Sequence, residues 1–224
     1  MYFMNRSAAK IISILFAIFT VTQSACAEPI RRHFMIIYGF QNGINTPHGA
    51  HVFATFVESD ASPSGRDLAR LEAHTLSWLP VEEDNRFLRL RPEPGRNFSL
   101  DETLQLAESR ELSLMRWGPF EITDSLYFGA LDRIDFLESG AADYIVQDTF
   151  HRNAVYVRES GGAINCIHAV SDLGGFIRTG LAHGFSAARR VYEHLQQFVV
   201  PSPDNKEWVA TLVGVGDIPR ADCP

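Results

Sequence analysis

Cysteine is scarce in this chain, with three in 224 residues at positions 26, 166 and 223. So few exclude a small scaffold stapled by several disulfides. After the first two dozen residues no apolar run approaches the roughly 20 positions that a membrane span needs, so no transmembrane segment is expected in the mature chain. Positive charge is also short, at 20 Lys and Arg against 27 Asp and Glu. No Arg/Lys run interleaves with aromatic residues, so nucleic acid is not an expected partner. Internal repeats, low-complexity tracts and interdomain linkers are missing too, which leaves a single folded unit.

What the chain does have begins with an export-type N-terminus. Arg6 and Lys10 precede the apolar run Ile11 to Val21, and small and polar residues follow, ending in Ala25-Cys26-Ala27. That order of parts is the pattern of a secretory signal peptide, with cleavage expected after Ala27 and an exported, periplasmic or extracellular mature chain. Cys26 has Gln23 three positions before it, where a bacterial lipobox would carry an aliphatic residue, so cleavage without lipidation is expected. Residues 28–224 are about 197 in number, enough for one domain with a sizeable core. Losing Arg6 and Lys10 takes the formal charge from −7 to −9.

Along the chain, Phe34 to Tyr38 reads as an entry strand. His51 to Val57 reads as a strand apolar on both faces, hence central. His74 to Leu79 is a third strand, ended by Pro80, and Phe87 to Arg91 a fourth. Ser99 and Glu102 form a capping-box pattern ahead of a helix over 100–112. Residues 113–122 are too irregular to assign. Asp124 to Glu138 carries the helical set Leu126, Tyr127, Ala130, Ile134 and Leu137, with Asp124 as cap and Gly140 as stop. Tyr144 to Gln147 and Ala154 to Val157 read as short strands, 165–173 and 186–197 as helices, and Trp208 to Val215 as a last strand. This mixed order predicts an α+β fold, helices packed on an antiparallel sheet.

The stretch with the most chemistry is Asn165-Cys166-Ile167-His168, directly after Gly161-Gly162. Asn165 is a good N-cap, so Cys166 is expected at a helix start, where exposed backbone N–H groups and the positive end of the helix dipole favour a thiolate. A thiol nucleophile needs a base, and imidazole suits that task near neutral pH. His51 and His74, each opening a strand, are the candidates for base and orienting group, and the Cys166 N–H is a candidate oxyanion donor. On a period of two, His51 shares a face with Phe53 and Thr55, and His74 with Leu76 and Trp78. As antiparallel neighbours the two histidines therefore meet only with an offset in register.

Trp78, Trp117, Arg116 and Tyr144 are candidates for lining a cleft, since aromatic rings and guanidinium groups serve recognition well. The plain alternative is core for the aromatics and surface for the arginine. His168, two residues beyond the thiol, is expected to point away from it and support the helix. A zinc site from Cys166, His168, His51 and His48 lacks the usual ligand spacing, so no metal and no cofactor are expected. Asp148 and Asp172 read as solvated carboxylates.

Asn-Cys-x-His followed by an apolar residue and Val resembles the Asn-Cys-Glu-His-Phe-Val motif of the lecithin:retinol acyltransferase family, a circularly permuted branch of the papain-like NlpC superfamily. The order His51, His74, Cys166 is similar to that family's order of two strand histidines and a later helix-start cysteine. Ile167 stands where the family has an acidic residue, and 23 positions separate the histidines where the family has a tight hairpin. The resemblance implies a permuted papain-like fold. It also implies acyl transfer or hydrolysis through a thioester on Cys166, with a small peptide amide or an acyl lipid as substrate. The alternative is a non-catalytic secreted binding or structural module in which Cys166 and Cys223 form a disulfide.

Overall fold

The computed structural model describes residues 31–43, 49–60, 71–82, 91–146, 162–175, 177 and 182–221. The expected signal segment, the Phe87–Arg91 strand up to residue 90, the Ala154–Val157 strand, His48, Asp148 and Cys223 lie outside them.

Two long strands form the centre. β1 (Arg32–Gln41) and β2 (His51–Ser59) are rich in aromatic and β-branched residues, which suit a pleated surface. Both are buried on both faces, and Phe34, Ile36, Val52, Phe53 and Phe56 have no exposed surface. Burying each such side chain contributes about 1.5–3 kcal/mol. β3 (Leu71–Leu76) pairs antiparallel with β2, and β6 (Ser113–Ile122) with β1, giving the order β3-β2-β1-β6. A smaller sheet joins β4 (Trp78–Pro80), β5 (Glu93–Asn97), β7 (Asp143–Tyr144) and β8 (Ala163–Ile164). The strand expected from His74 to Leu79 is thus divided at Ser77 between the two sheets.

Alternation along the central strands produces two cores. Met35, Ile37, Val52, Ala54, Phe56 and Leu76 face one way. They are covered by α2 (Asp124–Glu138), α3 (Cys166–Ser171) and α4 (Gly184–Leu195). Phe34, Ile36, Tyr38, Phe40, Phe53 and Val57 face the other way, under α1 (Leu100–Ser109) and α5 (Glu207–Leu212). α4 sits close on β1 because the contact is made of small residues. A Cβ on Gly39 would lie 3.0 Å from Ala188 Cβ and 3.1 Å from the Gly184 carbonyl oxygen. The architecture is α+β with helices on both faces of an antiparallel sheet.

Local signals act as the sequence leads one to expect at α1, where the Ser99 side chain accepts from Glu102 N and Glu102 returns to Ser99 N. α2 spans the expected residues, but Thr123 rather than Asp124 is its N-cap, and Gly140 ends it at φ 75°. Two assignments change. Residues 113–122 form a ten-residue strand despite Gly118 and Pro119, because β6 is the edge strand and its register shifts where that pair sits. Trp208 to Val215, expected as a strand, holds helix α5, which turns at Gly214 (φ 79°). Its adjacent Val209 and Ala210 are both fully buried, a pairing that suits a helix face on a core and not a strand with one wet side.

Candidate functional site

Cys166 is the first residue of α3 and is 6% exposed. Asn165 precedes it in extended backbone and caps the helix, its side-chain oxygen accepting from His168 N at 2.9 Å. The expected placement of the thiol at a capped helix start is therefore present. Cys166 lies in the same core as Val52, Ala54 and Trp78.

His51 faces the opposite core. Its ring stacks on Phe53 at 5.5 Å and lies 5.1 Å from Phe40, both on the α1 side of the sheet. Thr103 Oγ1 donates to the Ser99 carbonyl oxygen at 2.7 Å. Thr103 Oγ1 also donates to Ser77 Oγ at 2.8 Å, and Ser77 Oγ lies 2.9 Å from His51 Nε2. The Nδ1 of His51 has no hydrogen-bond partner among the described residues. Complete burial pushes its pKa down from 6.5 to about 3. The structure does not bring His51 to Cys166.

His74 does share the thiol's side of the sheet, since it pairs with Phe56. Its Nε2 is 3.1 Å from Glu72 Oε1, its ring stands edge-on to Tyr127 at 6.3 Å, and its side chain is 31% exposed. His168 is buried and its Nε2 is 3.0 Å from the Ile177 carbonyl oxygen, so that nitrogen carries the proton and the ring braces the chain beyond α3.

The remaining candidates are structural in their surroundings. Trp78, Trp117 and Tyr144 are buried in the core that holds Cys166. Trp78 lies flat against Gly95, where a Cβ would come within 2.2 Å of its ring. Arg116, expected at a cleft or on the surface, is 3% exposed. It donates to the carbonyl oxygens of Ile218 (3.1 Å) and Gly118 (2.6 Å) and to Glu207 Oε2 (2.6 Å), so it clasps the C-terminal segment. Asp172, expected to be solvated, forms a part-buried ion pair with Arg133 at 3.1 Å, the two side chains being 9% and 10% exposed. Neither this pair nor the Ser77–Thr103 chain has a sequence signal, because each joins residues far apart whose spacing carries no period.

His33, also without a sequence signal, stacks on Tyr127 at 4.1 Å with Nδ1 2.9 Å from Asp124 and Nε2 3.1 Å from Glu58. Among the described residues no His, Cys, Asp and Glu side chains converge as a metal would require. A cleft of about 280 Å³ opens beside the outer edge of β6, lined by Phe120, Glu121, Asp204, Lys206 and Arg220 among others, and none of the expected site residues lines it. No described helix is long and apolar enough to cross a membrane. Compared with known proteins, the chain matches no family model, no curated protein and no solved structure.

Proposed function

We propose that the chain is an exported cysteine-dependent hydrolase or acyltransferase of permuted papain-like architecture, acting on an amide or ester of a small peptide or an acyl lipid. One observation carries the reading: the thiol of Cys166 opens a helix capped by Asn165 and packed on the central sheet, a position that favours its thiolate. The base in this reading is His74, which shares the thiol's side of the sheet and is held at Nε2 by Glu72. In the reaction, the Cys166 proton passes to the imidazole as sulfur bonds to the carbonyl carbon. The imidazole returns it to the departing amine or alcohol as that bond breaks, leaving a thioester. Water or an acyl acceptor then adds to the thioester, its proton going by way of the imidazole to the released sulfur.

A second reading, a non-catalytic secreted module bridged from Cys166 to Cys223, is favoured by the placement of His51 in the opposite core, where it stacks on Phe53 and pairs with Ser77. The pH dependence of Cys166 alkylation in the mature chain separates the two. The enzyme reading expects fast labelling well below the ordinary thiol pKa of about 8.5, lost in His74→Ala and kept in His51→Phe. Slow labelling in every variant, or labelling released only by reductant or Cys223→Ser, selects the module. Undiminished turnover of a peptide or acyl substrate by Cys166→Ser would refute the mechanism.

A further inference from the structure

The two edges of the central sheet differ in how they end. At β6 the ladder is interrupted by Gly118-Pro119 and the C-terminal segment lies alongside, so that edge is both bulged and covered. β3 has neither protection. Leu71–Leu76 holds no proline, glycine or lysine, and its register with β2 runs without a shift. The chain beyond it shows which backbone groups face outward. Ser77 N donates to Asn97 Oδ1 at 2.8 Å and Ser77 O accepts from Phe98 N, while two residues back Thr75 O accepts from Asn97 Nδ2 at 2.9 Å. These bonds run toward the small sheet and away from β2, and alternation carries the same direction back to Ala73 and Leu71.

The Asn97 side chain therefore closes the edge from Thr75 onward, and the open part is a short window formed by Leu71, Ala73 and Thr75. Ala73 is its centre and is exposed. Among the described residues nothing meets the Ala73 N–H and C=O on that side. Such a row of unpaired groups on a regular strand is a template for another strand. A window centred on one residue is matched in length and spacing by itself, turned about a twofold axis through Ala73. Charge selects that register. With Ala73 opposite Ala73 of the partner subunit, Glu72 stands opposite His74 of the partner subunit, twice over. The adjacent registers of the same backbone parity set Glu72 against Glu72 of the partner subunit, or His74 against His74 of the partner subunit, and like charges directly opposite are destabilising. The two side chains already pair within one chain, Glu72 Oε1 lying 3.1 Å from His74 Nε2.

We propose that the bare edge of β3 is a homodimer interface, at which two copies of this chain pair antiparallel about Ala73 and join their four-stranded sheets into one of eight. Ala73 exchanges backbone hydrogen bonds with Ala73 of the partner subunit, and Leu71 with Thr75 of the partner subunit. Because the same patch is used on both sides, the contact closes at two copies and leaves no β3 edge for a third. The dimer does not depend on the enzyme reading. Where that reading holds, the partner subunit's Glu72 lies against His74, so each candidate base is flanked by a carboxylate from the other copy. The contact is a single short strand wide, well under the roughly 1,200 Å² of a standard interface, so a dissociation constant of about 10–100 µM is expected.

The experiment is sedimentation velocity of the full mature chain across that concentration range, with hydrogen exchange at Ala73 and circular dichroism as a check on folding. Wild type should pass from monomer to dimer as it is concentrated, and the Ala73 amide should exchange slowly in the dimer and fast on dilution. Ala73→Lys sets two ammonium groups across the axis and leaves the pairing with β2 intact, so it should fold normally and associate about tenfold more weakly. Glu72→Lys should weaken the dimer in the same way, and adding His74→Glu to it should restore association by exchanging the two charges. A wild type that stays monomeric throughout would leave the edge to a different chain and overturn the proposal. So would assemblies larger than two, or a dimer indifferent to Ala73→Lys, which would place the contact elsewhere. A double variant no tighter than Glu72→Lys would overturn the pairing about Ala73.

Discussion

Replacing His51 with phenylalanine should change how the protein responds to acid. In the native state His51 is fully buried, neutral, and has a pKa lowered by burial from 6.5 to about 3. Above pH 6.5 neither the folded nor the unfolded chain holds the extra proton, so the group adds no pH dependence. Between 6.5 and about 3 only the unfolded chain takes it up, so unfolding binds a proton and stability falls as the pH falls. Linkage with these two values gives a loss of about 2 kcal/mol between pH 7 and pH 5 from this one group. Phenylalanine fits the same slot between Phe40 and Phe53 and binds no proton, while Ser77 keeps Thr103 as a partner. Urea unfolding at pH 7, 6 and 5 for both proteins measures the difference directly. The variant should lose about 2 kcal/mol less than wild type over that range. Equal slopes in the two proteins would refute the account, because they would mean that His51 binds its proton as readily folded as unfolded.

Two further predictions follow from packing. Gly95→Ala should destabilise by about 1–3 kcal/mol in urea unfolding, since its Cβ would come within 2.2 Å of the Trp78 ring, and a neutral result would mean that the indole moves without cost. Arg116→Met should cost about 2 kcal/mol, less than a fully buried pair because Glu207 is 34% exposed and can regain water. It should also speed proteolysis within the segment around Ile218, and an unchanged cleavage rate would show that the clasp is dispensable.

The elements that a reader of the chain finds are those with a clean local signal. β1 and β2 announce themselves by runs of aromatic and β-branched residues, α1 by the Ser99–Glu102 box, and α2 by its repeat and Gly140. β6 escapes because Gly118-Pro119 breaks the alternation, and only its place at the sheet edge tolerates a proline. Trp208 to Val215 misleads because a short apolar run looks alike as a buried helix and as a strand. In the site, Asn165 and Cys166 are legible from neighbours in sequence. The face on which His51 lies is legible too, since it shares parity with Phe53. Which face α3 would cover is not, because that depends on the path of the chain between distant elements. Asp172 and Arg133 find one another only after α2 and α3 are packed, which no periodicity encodes.

β6 also decides when this protein can finish folding. One side of it is zipped to β1, and among the described residues its outer side is met by segments from much later in the chain. Val200 N bonds to the Glu121 carbonyl and Thr123 N to the Phe198 carbonyl, while Arg116 exchanges bonds with Pro219 and Ala221. Until those residues are available, a ribosome-bound or unthreaded chain shows a raw β edge to its neighbours, the kind of template on which chains stick to one another. Premature stops before Pro219 should therefore yield aggregates in preference to a loosened monomer, and a chaperone that shields strand edges should help this chain most while its last residues are still being made.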